Sequence, residues 1–174
     1  MNEFFRTGQA RAPDVDGVVN ANVLLYLGEG PDTRGAVDFL CKILRGREES
    51  TCDRWYHSRF AVYYAVARCL AAGVKGLAGE ASELMDRLRG AGSVEGLFGE
   101  GLCDTAQAVA SLRMLGATPR EVGRGVEFLL GQQQPDGSWA AERVYYGGRN
   151  EELGWGSEEI TTGYCLEALS RALG

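Results

Sequence analysis

Arg124-Gly125-Val126-Glu127-Phe128-Leu129-Leu130-Gly131-Gln132-Gln133-Gln134-Pro135-Asp136-Gly137-Ser138-Trp139 carries the densest pattern in this 174-residue chain. Its core, Val126-Glu127-Phe128-Leu129, stands earlier as Val37-Asp38-Phe39-Leu40, which marks an internal repeat. Working outward, four apolar runs close on glycine, at Gly28, Gly73, Gly116 and Gly174. Each glycine suits the position just past a helix end, where the backbone turns left-handed. The last interval is the longest because residues 133–157 form a loop rich in glycine and large aromatics.

Each repeat unit reads as a pair of helices. The first of each pair is apolar nearly all round, as in Phe60-Ala61-Val62-Tyr63-Tyr64-Ala65-Val66-Ala67, and is expected to be buried on both sides. The second is amphipathic, as in residues 80–89 with Leu84, Met85 and Leu88 on one stripe. Helices are placed near 17–27, 33–45, 58–72, 79–89, 104–115, 120–132 and 158–173. The only strand candidate is the short stretch 141–146. The expected class is all-α: an N-terminal extension at 1–13, then one domain of about three and a half antiparallel hairpins at 14–174.

Composition narrows the function. With 18 Lys+Arg against 24 Asp+Glu the chain carries a net charge of −6, and no basic cluster stands ready to neutralise phosphates. Nucleic-acid binding is therefore not expected. No apolar run reaches the ~20 residues that cross a bilayer, and the first residues lack the pattern of a secretory leader. A cytoplasmic location is expected, with peripheral membrane contact left open. Five cysteines without a Cys-x-x-Cys read as reduced, mostly buried small hydrophobes. One histidine, His57, and no ligand spacing leave no metal site and no expected cofactor.

The stretch 124–139 resembles the QW motif of the squalene–hopene cyclase and terpene cyclase superfamily. It holds a basic residue, a small residue, an aromatic-Leu pair, then Gln and Gly-x-Trp. Arg34 to Leu40 resembles a decayed copy, and the segments 103–106 and 160–169 resemble inner-helix starts of the same superfamily. The resemblance implies about half of an α/α toroid, with inner helices around an axis and outer helices returning behind them. Within that motif the Gln is expected to cap backbone groups at a helix end, and Trp139 to pack over the preceding helix. The segment 160–166 is also similar to the zinc-bearing helix of protein prenyltransferase β subunits, but Thr161 stands where that family has its ligand His, so zinc-dependent prenylation is not expected.

Asp14-Val15-Asp16-Gly17-Val18 sits where class II cyclases carry Asp-x-Asp-Asp-Thr, and the family's general acid maps onto Asp16, with Asp14 as its partner. Gly17 and Val18 replace the family's last Asp and Thr. Neighbouring carboxyls resist ionising together, so one keeps a proton, and a helix start stabilises the anion left behind. Helix capping explains Asp16 equally well, because Asp104 stands at the equivalent distance before Gly116.

If the inner helices run parallel, their starts gather on one rim with Asp14, Asp16, Trp55, Tyr56, His57, Asp104 and residues 157–159. Together with Tyr145, Tyr146 and Trp155 of the long loop, these are the candidate substrate-binding groups for a hydrophobic, isoprenoid-like molecule. His57 is a candidate base or a packing residue. Two functions remain: a proton-initiated isoprenoid cyclase, or a non-catalytic helical-repeat module that binds a ligand or assembles. Half a ring cannot exclude water alone, so self-association or a second toroid segment is expected.

Overall fold

The computed structural model describes residues 15–53, 55–56, 58–147 and 153–174. Seven α-helices carry the described chain: α1 Gly17–Leu27, α2 Arg34–Gly46, α3 Arg59–Ala71, α4 Ala81–Ala91, α5 Leu102–Met114, α6 Pro119–Gly131 and α7 Glu158–Leu173. Short 3-10 turns, Pro31–Thr33 and Lys75–Glu80, lead into α2 and α4. All seven helices lie within two residues of the positions expected from the repeat. The structure adds a hairpin that the sequence barely signals: β1 Tyr145–Gly147 pairs antiparallel with β2 Leu153–Trp155, with Tyr145 opposite Trp155. The stretch 141–146 is thus a strand only at its end. Three-residue strands leave too little pattern to read.

Odd-numbered helices form one row, α1 against α3, α3 against α5 and α5 against α7, while α2, α4 and α6 pack beside them as the second members of the hairpins. Burial follows this order. α2 buries Val37, Leu40, Cys41 and Leu44 on one stripe, α4 buries Leu84 and Leu88, and α6 buries Val122, Val126 and Leu129. α5 is enclosed nearly all round, from Leu102 to Leu112, with Gln107 and Ser111 buried as well. Small residues Ala106, Ala108 and Ala110 let its neighbours approach, and Ser111 returns its hydroxyl to the Gln107 carbonyl at 2.6 Å.

α1 departs from the expectation of burial on both sides. Val18, Ala21 and Leu24 face the core, but Val19, Val23, Tyr26 and Leu27 are exposed. It ends the row, so one face has no neighbouring helix among the described residues.

Helix ends match their local chemistry. Gly73 and Gly116 adopt φ of 87° and 96°, and the amides of Val74 and Ala117 reach back to the Cys69 and Leu112 carbonyls. That closes the last helical turn in the way a left-handed glycine permits. At the start of α6, Thr118 and Glu121 cap each other's amides with Pro119 in the first position. All five cysteines are free, four buried and Cys52 half-buried. Among the described residues no helix is long and apolar enough to cross a membrane.

Candidate functional site

The starts of α1, α3, α5 and α7 are held together by side chains that bridge from one helix to the next. Asp16 caps α1, its Oδ1 accepting from the Val19 amide at 2.8 Å. Asp53, which the sequence reading did not single out, accepts from the Val18 amide at 3.0 Å, so two carboxylates serve adjacent amides of one turn. The two carboxyls are themselves hydrogen-bonded, and Asp53 is pushed up to about 7, first by burial and then by Asp16. Among the described residues, the carboxyl beside Asp16 is that of Asp53. Asp14 lies outside the described residues, as does His57.

Asp53 also accepts from the amides of Trp55 and Tyr56, at 2.9 and 2.8 Å. This is an Asx turn, and it presents the aromatic pair to the hairpin. The Tyr56 ring lies 5.1 Å from that of Tyr145, and the two phenols share a hydrogen bond; burial, then Tyr145, raises the Tyr56 phenol. The Tyr146 amide donates to the Trp55 carbonyl at 2.8 Å. Trp55 and Trp155, each about half exposed, flank buried Gly147, where an added Cβ would sit 3.3 and 3.0 Å from the two rings. Glycine is what allows both indoles to meet there.

Asp104 is not an N-cap, contrary to its repeat position. α5 begins two residues earlier than expected, after Gly101, and Asp104 sits inside the first turn. Its Oδ1 accepts from the Ser58 hydroxyl at 2.5 Å and its Oδ2 from the Glu100 amide at 3.0 Å. Burial raises its carboxyl, and the Ser58 hydrogen bond opposes that shift. Gly99 takes φ 58° beside it, where a Cβ would strike Asp104 Oδ2 at 2.1 Å. The cap of α5 comes from afar: Glu142 accepts from the Leu102 and Cys103 amides at 2.7 and 2.8 Å. Ser58 caps α3 and Ser157 caps α7. The Glu142 amide donates to Thr161, which ties this loop to α7.

A cavity of about 520 Å³ opens between these elements, lined by Tyr56, Ser58, Phe60, Asp104, Glu142 and Tyr146 among others. That volume suits a small molecule. Asp16 is not among its described lining residues. A larger open groove of about 1160 Å³ runs along α2 past Glu29, Lys42 and Gly76 and shares no lining residue with it. Its charged rim and lack of aromatic walls make it a surface trough, so the smaller cavity is the candidate site. Among the described residues no group of three His, Cys, Asp or Glu side chains is placed to hold a metal ion.

The long loop divides in two. Trp139 is fully buried, and its indole N–H donates to the Leu129 carbonyl at 2.7 Å. Among the described residues no glutamine side chain caps this helix end: the Gln133 side-chain Nε2 donates instead to the Gly137 carbonyl within the turn, at 2.9 Å. No protein-family model matches the chain, and no curated protein matches it in sequence. What the site can do must come from its geometry.

Proposed function

We propose that this chain is a non-catalytic helical-repeat module that binds an amphipathic, isoprenoid-like small molecule at the rim of its odd-numbered helices. The observation that carries this reading is the joining of an aromatic face, Trp55 and Trp155 over Gly147, to a cavity walled by Tyr56, Tyr146, Asp104 and Glu142. The half-exposed indoles suit an apolar tail, and the polar cavity suits its head group. The carboxylates there are occupied as helix caps and hydroxyl acceptors, which favours holding a ligand over turning it over. We read the two rows of helices as part of an α/α toroid, a reading supported by the successive packing of α1, α3, α5 and α7.

The test is binding of farnesol to the purified chain, followed by tryptophan emission. Saturable binding that weakens in Trp155→Ala and Tyr146→Ala supports the reading. Equal affinity in both variants and the unchanged chain would overturn it.

A class II cyclase-like reading has one observation in its favour. Asp53, beside Asp16, is pushed up to about 7 by burial, then by Asp16, which keeps a proton close to the mapped acid. Against it, Asp16 is spent on capping α1. Incubation with squalene or isoprenoid diphosphates, followed by mass spectrometry, distinguishes the two: cyclic products that vanish in Asp16→Asn would establish the acid.

A further inference from the structure

The row of odd-numbered helices makes one kind of contact three times: α1 on α3, α3 on α5 and α5 on α7. The side chains these helices bury are all uncharged. Among the described residues α3 and α5 have a row neighbour on each side, whereas α1 and α7 have one each. On α7 the buried residues are Thr161, Cys165, Ala168, Leu169 and Ala172. Opposite them Gly163, Leu166, Ser170 and Leu173 are exposed, at the three- and four-residue spacing of one helical stripe. On α1 the stripe opposite Val18, Ala21 and Leu24 is Val19, Val23, Tyr26 and Leu27. Both ends of the row thus present the kind of face that its inner members bury.

The two stripes differ in relief. That of α1 carries only large side chains, with Tyr26 89% exposed. That of α7 alternates: Leu166 and Leu173 stand beside Gly163 and Ser170, and a Cβ at Gly163 would meet nothing within 4 Å. Ridges on one helix and gaps on the other are what close helix packing requires. Pairing α1 with α1 would set bulk against bulk. No residue of α1 is charged, and none of the four on α7 is, so their contact strands no charge. The row also bends. Tyr64 of α3 donates to Glu167 of α7 and meets Tyr164 edge-on with ring centroids 5.7 Å apart, so helices two places apart touch on one side.

We propose that these stripes form an interface between copies of this chain: α1 of one copy seats Val19, Val23 and Tyr26 on Gly163, Leu166 and Ser170 of a second copy, in the place of the next helix of the row. The contact is heterologous, since each copy offers one face of each kind, and successive copies continue the bend into a ring or a spiral. No residue of either stripe lines the 520 Å³ cavity, so the interface stands independently of the ligand reading.

Sedimentation of the full chain across the micromolar range tests this. The unchanged chain is expected to associate. Tyr26→Lys and Leu166→Lys should each weaken association on the order of tenfold or more, as loss of a central anchor does. Mixed in equal amounts, at a concentration where each alone is a monomer, they should form a two-chain species. The intact α1 of one variant then meets the intact α7 of the other, which only a heterologous contact allows. Gly163→Gln fills the gap on α7 while raising its helix propensity, so it probes the same face without cost to folding and should weaken association by a similar factor. A monomeric unchanged chain would overturn the proposal. So would Leu166→Lys and Gly163→Gln proteins that associate like the unchanged chain, which would mean pairing through α1 alone. A mixture that stays monomeric would overturn it as well.

Discussion

The indole N–H of Trp139 closes the end of α6 by donating to the Leu129 carbonyl at 2.7 Å, from a ring with no exposed surface. A loop residue thus serves as both core and cap. Trp139→Ala is expected to destabilise by ~3–5 kcal/mol, the range for large aromatic truncations. Trp139→Phe keeps an apolar ring, and the Leu129 carbonyl still accepts from the Gln132 amide, so its cost should be about 1 kcal/mol beyond repacking. Trp155→Ala, half exposed, should cost less than about 1 kcal/mol. Denaturant unfolding of the three variants checks this, and equal losses at 139 and 155 would contradict the division of the loop.

The pH dependence of stability follows from Asp53. Its folded-state value, about 7, lies above the ordinary carboxyl value of 3.8. The folded state therefore holds the proton more tightly, and this contribution is full at low pH and fades as pH rises from about 4 through about 7. Burial raises Asp104 in the same direction. Glu121, held at about 2 by the Thr118 amide and hydroxyl and by Arg89, works the opposite way at still lower pH. Melting curves of the unchanged chain and Asp53→Asn between those limits should converge or cross as pH rises. A constant gap would show that Asp53 titrates normally.

Glu142 supplies the cap of a helix that starts forty residues earlier in the chain. Removing it leaves the Leu102 and Cys103 amides without their carboxylate. Glu142→Ala should cost ~1–2 kcal/mol, as lost N-caps do. Hydrogen exchange should quicken selectively at those two amides, whereas a uniform increase would point to general loosening.

Arg87 and Glu49 form a well-buried ion pair, their side chains 14% and 5% exposed. Glu49 belongs to the segment that leads into Asp53. Arg87→Met strands a buried carboxylate and should cost about 3 kcal/mol, while the double variant with Glu49→Met should recover most of that loss. Calorimetric melting of both tests it. No recovery in the double variant would mean that packing, not charge, sets the cost.

The exposed stripe of α1, Val19, Val23, Tyr26 and Leu27, has the composition of a covered helix. Self-association through it is expected. Light scattering should return more than the monomer mass for the unchanged chain and the monomer for Val23→Lys combined with Tyr26→Lys. A monomer in both cases would make the stripe an open surface.

Seven helices were legible because helical signals are local. Apolar periodicity, Thr118-Pro119 before α6 and glycines after α3 and α5 all act within a few residues, and they placed the elements closely. Asp16 as a cap was legible on the same ground. The repeat misled at Asp104, because Glu142 supplies the cap and lets α5 begin earlier.

Sequence alone determined the helices, their hairpin order and the residue types gathered near their starts. Tertiary structure alone decided which carboxyls meet. Asp16 pairs with Asp53 across 36 intervening residues, and Glu142 reaches Leu102 across a comparable span. A carboxylate accepts any amide it can reach, so its own neighbourhood in sequence names no partner. Only the packing of α1 on α3 and of α5 on α7, driven by apolar burial, brings those amides within reach.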